Sequence, residues 1–460
     1  MELAGKRITV MGLGRFGGGV GVSRFLIDQG AEVVISDRDT AENLADSIAA
    51  VGEGATFHLG GHLAEDFTGA DLVVVNPAVR PGSEFVALSV AHGVPVTTEI
   101  NLFFERCPAP VLAVTGSVGK TTTVSMIGQA LSGPGVWVGG NIGRSLLGET
   151  ARMSASDLVV LELSSAQLYR LGPTGRSPRV AVVTNISENH IDWHGSMAGY
   201  VAAKREIVAH QSAGDVAVLN ADDAELSGWA ADCPGRTLLF SGVRELERGV
   251  FVRDGRVVAR LEGSEQVVLE GGSMRLPGEH NLWNAAAALA GCAAAGADLV
   301  EAGARLAGFE GAEHRLEFVR EVGGVRFFND SKATSPVSTL AALDAFAEPV
   351  VLILGGRDKG VSYEELARRV CGCAVVVLTG EMAGRLDELI ARHSPGVERV
   401  RAESVEAAAV VAAARAAAGS VVLLSPACTS YDGFKNFEQR GRAFKGAVGR
   451  LQPDQVGSEC

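Results

Sequence analysis

A cation and a hydroxyl, Lys120 and Thr121, stand directly behind a glycine turn in the run Thr115-Gly116-Ser117-Val118-Gly119-Lys120-Thr121-Thr122. Four apolar residues, Val111 to Val114, precede the run as a short buried strand, and a helical pattern through Ile127 and Leu131 follows it. A turn of this kind points its main-chain N–H groups at one spot, and the helix N-terminus adds its own. A polyphosphate suits such a spot. Lys120 would reach the β/γ-phosphates, and the Thr121 hydroxyl would sit on Mg²⁺. The full pattern wants a glycine at position 114, where Val114 stands, so the loop is a shortened variant. The bland alternative is a glycine-rich turn with a solvated lysine. Gly-Lys-Thr-Thr directly after a strand argues against it.

A second glycine turn lies near the start. Arg7 to Met11 reads as a strand, Gly12-Leu13-Gly14-Arg15-Phe16-Gly17 follows, and Val20 to Gly30 has helical spacing. Glu32 to Ser36 is the next strand, and it ends at Asp37, about twenty residues past Gly17, as in the dinucleotide fingerprint. A uridine diphosphate can use the same loop and the same acid, so the nucleotide stays open. A merely tight strand–helix turn is the alternative.

Other polar residues gather where strands should end. Gly139-Gly140-Asn141-Ile142-Gly143 is a further glycine-rich turn. Asp157 to Leu161 runs into Glu162, a carboxylate suited to Mg²⁺, although such an acid alone is more often solvated. Arg179 to Thr184 leads into Asn185 and then to His190 and His194; His190 reads as a ligand, and zinc spacing is absent. Lys204, on a helix from Ala198 to His210, reads as an exposed charge. Asn281 and Asn284 share one face of a helix's first turn, either for an adenine or ribose contact or as caps. Towards the C-terminus, Asp330 and Lys332 follow one strand, Lys359 a second and Ser430 a third, and they share one edge, a candidate site for an acidic small substrate.

These residues need sheets to position them. A chain of 460 residues suggests about three domains of ~150 residues. Strands alternating with helices predict an α/β fold: an N-terminal Rossmann-like domain over 1–108, a central phosphate-loop domain with a mostly parallel sheet over 109–308, and a doubly wound C-terminal domain over 309–452. Cys107-Pro108-Ala109-Pro110 marks the first boundary. Residues 236–270 predict a small antiparallel excursion, and 453–460 a disordered tail. A net charge of −13 argues against non-specific nucleic-acid binding. Seven scattered cysteines suggest reduced thiols in a cytoplasmic protein. No signal-peptide pattern and no run approaching ~18 apolar residues is evident, so no membrane association is expected. A monomer is expected.

Read together, the loops resemble those of the Mur ligases, from about Val10 to Lys445. The pieces that carry the resemblance are TGSVGKTTT (115–123), GGNIG (139–143), LELSSAQL (161–168), NHID (189–192), GEHNLWNAAAAL (278–289), HRLE (314–317), NDSKATSP (329–336) and SPACTSYDGFKNFEQRG (425–441). The last two look like the branch that adds D-glutamate. The resemblance implies that ATP activates the carboxylate of UDP-N-acetylmuramoyl-L-alanine as an acyl phosphate, which the amine of D-glutamate then attacks. It assigns the ATP contacts to Gly116, Ser117, Val118, Gly119, Lys120, Thr121 and Thr122, with Asn281, Arg315 and Asp330. Thr121, Glu162 and His190 become metal or phosphate-shell groups, with two Mg²⁺ sites. Lys204 matches a lysine that the family carbamylates, which reverses the bland reading above; Lys120, Lys204 and His190 are the catalytic candidates. Gly14, Arg15, Asp37 and Asn141 match positions around the UDP-sugar. Lys332, Thr334, Lys359, Ser430, Tyr431 and Phe437 match the glutamate pocket. The chain departs from the family pattern at Val118, usually Asn, which implies weaker bonding in the phosphate loop. It departs at Asn189, usually Asp, which removes a charge near the metals, and at Asn76-Pro77-Ala78, usually Ser-Pro-Gly, which bears on uracil contact. A folylpolyglutamate synthetase-like ligase and a nucleotide-sensing protein without chemistry are the competing readings. The first leaves the N-terminal turn unexplained, and the second leaves Lys332 and Lys359 without a task.

Overall fold

Runs such as Leu72-Val-Val-Val75 are β-branched and apolar at successive positions, so neither face tolerates water. A parallel sheet covered on both sides by helices is the architecture that meets this demand. The computed structural model describes residues 2–14, 18–142, 145–274, 276, 278–311, 313–358 and 360–457. The first sheet holds β1 (Arg7–Met11), β2 (Glu32–Asp37), β3 (Ala55–Leu59), β4 (Leu72–Val75) and β5 (Val96–Thr97), all parallel, in the order β3-β2-β1-β4-β5. All four residues of β4 are buried.

The second sheet holds β6 (Val111–Thr115), β7 (Val136–Gly140), β8 (Leu158–Glu162), β9 (Val180–Val183), β10 (Val216–Asn220), β11 (Arg236–Ser241), β12 (Gly249–Arg253), β13 (Arg256–Leu261) and β14 (Ser264–Glu270). Its order is β14-β13-β12-β11-β10-β9-β6-β8-β7. After β6 the chain builds β7 and β8 on one side, then crosses to β9 on the other. A crevice at the C-terminal end of β6 follows from that reversal, which is where open α/β sheets bind ligands. The antiparallel part is smaller than the sequence predicts. β11 pairs parallel with β10 and with β12, and the reversal comes only between β12 and β13. The two-residue turn Asp254-Gly255, both at positive φ (51° and 71°), closes that hairpin. The β11–β12 connection has no such tight turn.

The third sheet holds β15 (Glu317–Val322), β16 (Val325–Asn329), β17 (Val350–Gly355), β18 (Val375–Thr379), β19 (Glu398–Arg401) and β20 (Val421–Ala427), in the order β15-β16-β20-β17-β18-β19. β15 and β16 form an antiparallel hairpin and the other pairings are parallel. Apolar clusters cover both faces, one of them through the alanine-rich helix Val405–Arg415. The expected disordered tail is corrected up to residue 457: Pro453–Gln455 forms a 3₁₀ turn, Val456 packs on the core, and the Gly457 N–H donates to the Ala413 carbonyl. One apolar side chain, Val456, supplies the anchor.

The chain divides into two units, Met1–Leu269 with Trp283–Arg305, and Glu270–Leu282 with Leu306–Cys460. The first carries the first two sheets around a shared core that includes Ile8, Val10, Phe103, Ala113 and Val159. The second carries the third sheet. Among the described residues, no helix is long and apolar enough to cross a membrane, and the six described cysteines are free thiols.

Candidate functional site

The phosphate loop is shaped by glycines that no other residue could replace. At Gly116 (φ 152°) a Cβ would sit 1.9 Å from Thr184 Oγ1. Gly119 (φ 84°) is the left-handed residue before the helix Lys120–Ala130, and a Cβ there would sit 2.4 Å from Asn284 Oδ1. Between them the loop is held from below. The Val118 N–H donates to Asn185 Oδ1 at 3.0 Å, and its carbonyl accepts from Thr184 Oγ1 at 2.7 Å. The Ser117 hydroxyl lies 2.9 Å from the Tyr200 hydroxyl and 2.9 Å from the Ser187 carbonyl.

Two ammonium groups meet on one oxygen here. Lys120 Nζ donates to the Gly116 carbonyl at 2.8 Å and to the Ser117 carbonyl at 2.9 Å. Lys204 Nζ donates to the same Gly116 carbonyl at 2.8 Å and to Thr115 Oγ1 at 3.2 Å, above the Tyr200 ring. Lys204 is 1% exposed, so the reading of its residue type as a surface charge is corrected. Its helix, Met197–Ala209, turns this face onto β6. Burial pushes the Lys204 pKa well below its usual value, and the Lys120 charge adds to the effect against the pull of Glu162.

Oxygen ligands lie beside these cations. Thr121 Oγ1 donates to Glu162 Oε2 at 2.6 Å, and Asn141 Nδ2 donates to Glu162 Oε1 at 2.8 Å. Asn141 thus stands on the carboxylate at the end of β8. Thr122 is buried in the first turn of the helix. His190 is exposed and left-handed (φ 53°), just before the short helix Ile191–His194. At the end of that helix, His194 Nε2 lies 2.8 Å from Ser165 Oγ; burial lowers its pKa, and charge on His190 and Lys204 lowers it further.

A cavity of about 820 Å³ opens over the first glycine turn, lined by Gly12, Gly14, Asp37, His62 and Asn76 and by Asp192 to Gly195. Asp37 Oδ2 accepts from the Gly14 N–H at 3.1 Å, and Asn76 Nδ2 donates to the Gly12 carbonyl at 3.1 Å. His62 is fixed by the Ser36 hydroxyl at 2.8 Å. Arg80 pairs with Asp192 at 3.3 Å, both on the cavity wall. Arg15, expected at this site, lies outside the described residues.

The second unit gathers the other candidates around the ends of β16 and β20. Asp330 accepts from Ser425 Oγ at 2.8 Å and from the Leu316 N–H at 3.2 Å; burial pushes its pKa up to about 7, with Arg315 and Arg440 opposing. Lys332 Nζ lies 5.4 Å above the Phe437 ring. Thr334 follows in the same loop, where its N–H donates to the Lys332 carbonyl. Ser430 is buried after β20, with Tyr431 half-buried beside it. Asn281 is buried on the helix Glu279–Ala294 and contacts His280. Lys359 lies outside the described residues.

Some contributors were not legible. Tyr200 stands four residues before Lys204, the one local signal that it shares the buried face. Asn185 was read only as a strand-end polar residue, and Arg440 not at all.

Phosphate loop, buried lysine and strand-end carboxylate on a mostly parallel sheet suit a nucleotide triphosphate, and comparisons with known proteins make the chain an ATP-dependent ligase. The profile described as "Mur ligase MurD-like, N-terminal domain" matches residues 6–98, "Mur ligase middle domain" residues 114–292, and "Mur ligase, glutamate ligase domain" residues 314–428. A protein of Pelotomaculum thermopropionicum named UDP-N-acetylmuramoylalanine--D-glutamate ligase is 43% identical, over 96% of this chain and 97% of its own. One of the same name from Roseiflexus sp. is 39% identical, over 97% and 99%. The chain belongs to the Mur ligase family. Among solved structures, the UDP-N-acetylmuramate-alanine ligase of Thermotoga maritima shares the fold at a TM-score of 0.62 and 20% identity, over 96% of this chain and 99% of that one.

Proposed function

We propose that the chain joins D-glutamate to UDP-N-acetylmuramoyl-L-alanine in peptidoglycan precursor synthesis, converting ATP to ADP and phosphate. The observation that carries this reading is the convergence of Lys120 and Lys204 on the Gly116 carbonyl beside the Thr121–Glu162 contact. Such a site neutralises charge on a phosphoryl group in transfer, the main task in activating a carboxylate with ATP. Kinship with proteins named for this ligation supports the choice of substrates.

Lys120 would exchange the Gly116 and Ser117 carbonyls for the phosphate oxygens. Thr121 and Glu162 are hard oxygen donors of the type that would hold Mg²⁺. When bound, the ion supplies charge neutralisation and alignment of the phosphate oxygens. Among the described residues, no three His, Cys, Asp or Glu side chains gather at one metal-sized site. Magnesium usually takes one or two carboxylates with substrate phosphates and water, and a second site would gain from another protein anion beside Glu162. Lys204 is the candidate: burial lowers its pKa, which favours the neutral amine, and that amine would attack CO₂ through its lone pair, lose a proton and become a carbamate. The carbamate would also face Lys120 as an opposite charge. His190, at the rim, is a candidate outer ligand. Asp37, Gly14 and Asn141 are assigned to the UDP-sugar, Arg315, Asp330 and Asn281 to the nucleotide, and Lys332, Thr334, Ser430, Tyr431 and Phe437 to D-glutamate. Domains of 1–108, 109–308 and 309–452 accompany the assignment.

The test is phosphate release from ATP with an amino-acid panel. Release is expected only with UDP-N-acetylmuramoyl-L-alanine and D-glutamate together. An ATPase rate indifferent to both overturns the reading.

A further inference from the structure

Three polar loops of the second unit converge on one buried guanidinium. Arg440 is 1% exposed, in the first turn of the helix Phe437–Arg450. Its Nε donates to Ser331 Oγ at 3.0 Å and its Nη2 to the Ser331 carbonyl at 2.8 Å, in the loop after β16. Its Nη1 donates to the Cys428 carbonyl at 3.1 Å, in the loop after β20. The third loop, after β17, touches the same group: a Cβ on Gly356 would lie 3.0 Å from Nη1 and 2.2 Å from the Thr429 carbonyl. Gly356 is therefore pressed against the arginine, and paired main-chain bonds between Arg357 and Thr429 join the second and third loops directly. Ser331 Oγ passes the network on to the Phe437 carbonyl at 2.8 Å.

This is an unusual use of a charge. The hydrogen bonds of Arg440 go to a hydroxyl and two main-chain carbonyls, not to a carboxylate. Burial pulls its pKa down to about 10, with Asp432, Cys428 and Asp330 opposing from a distance. A buried cation without a bonded counter-ion is costly to keep. A planar fork of donors, however, can hold several separate loops at fixed angles, which an ammonium cannot.

We propose that Arg440 is a positioning residue for the amino-acid site: its guanidinium sets the mutual placement of the loops that carry Lys332 and Thr334, Gly356 and Arg357, and Ser430 and Tyr431. Arg440 touches none of the reacting atoms. The inference rests on the assignment of these loops to D-glutamate.

The variants are Arg440→Lys, which keeps charge and loses the fork, and Arg440→Ala, examined with and without guanidinium. Both are first checked for a wild-type-like thermal transition. Arg440→Lys is expected to raise KM for D-glutamate at least about 10-fold, with KM for ATP and for the UDP-sugar unchanged. Guanidinium at millimolar concentration is expected to restore part of the loss in Arg440→Ala and none in Arg440→Lys. Equal changes in all three KM values, or no change in any, overturn the proposal. A second readout is independent of the substrate assignment: amide exchange in the full chain. Arg440→Lys should speed exchange in residues 330–335, 356–358 and 428–432, leaving β17 and β18 protected. Unchanged exchange there overturns the proposal even if D-glutamate is the right substrate. Faster loop exchange with no D-glutamate-dependent turnover in the wild type retains the hub and overturns only the assigned substrate.

Discussion

The first unit contains the same local device twice, and the two copies are wired with opposite charge. After β1, the glycine turn is tied to a carboxylate: Asp37 accepts the Gly14 N–H. After β6, the glycine turn is tied to two lysines, whose ammonium groups share the Gly116 carbonyl. Both turns lie at the C-terminal end of a parallel strand, where open α/β sheets bind ligands. The neighbour decides what part of a nucleotide can settle. A carboxylate beside the turn favours hydroxyl donors such as those of a ribose. Cations favour the oxygens of a polyphosphate in transfer. The proposed function makes the first turn a handle and the second a reaction site, although both are glycine turns after a parallel strand.

That contrast can be broken at its strongest point. Lys120→Ala removes the cation nearest the transferring group, and turnover is expected to fall by about 10²–10³-fold or more. Binding of the UDP-sugar, followed by calorimetry, should stay as it was. Near-normal turnover would mean that the second turn is a handle too.

Lys204→Ala probes the second cation. If Lys204 works as a carbamate, the variant should lose activity by at least about 10-fold, and bicarbonate or a short carboxylate should restore part of it. A loss that neither restores would assign Lys204 to the structure of the loop, through its bonds to Thr115 and Gly116.

Asp37→Asn tests the handle. Asn keeps an acceptor and loses the charge. One charged hydrogen bond is worth roughly 1.5–3 kcal/mol, so KM for the UDP-sugar should rise about 10-fold or more. The KM for ATP should not move. A matching rise for ATP would show that the two turns are not separate sites.

What could be read in advance follows the same division. Both glycine turns were legible because strand, turn, helix and the next acid or lysine lie within about forty residues of each other. β3 was not seen: Ala55–Leu59 is an edge strand, half-buried, with no clean apolar run. Lys204 was misread for a different reason. Its burial depends on Gly116, 88 residues away, and no local pattern reports such a partner. Only the likeness to a family pointed there. Arg440 went unseen for the same cause, since its partners at Ser331 lie 109 residues off. In the helix pattern it is one more charge.

The smallest expected effect concerns Val118, where the family usually carries Asn. On residue types alone, that departure implies a loop with fewer hydrogen bonds. In the fold, the bonds that shape this position are made by its main chain: the N–H goes to Asn185 Oδ1, and the carbonyl accepts from Thr184 Oγ1 and Asn185 Nδ2. Val118 as a whole is 64% exposed. A substitution at such a surface position changes stability by no more than about 0.5 kcal/mol, a factor of about two. Val118→Asn is therefore expected to leave the KM for ATP within about twofold, measured beside the wild type. A fall much larger than that would mean that an amide at position 118 reaches the nucleotide directly. The second turn would then read its ligand through side chains as well as through its lysines and main chain, and its difference from the first turn would be greater than charge alone.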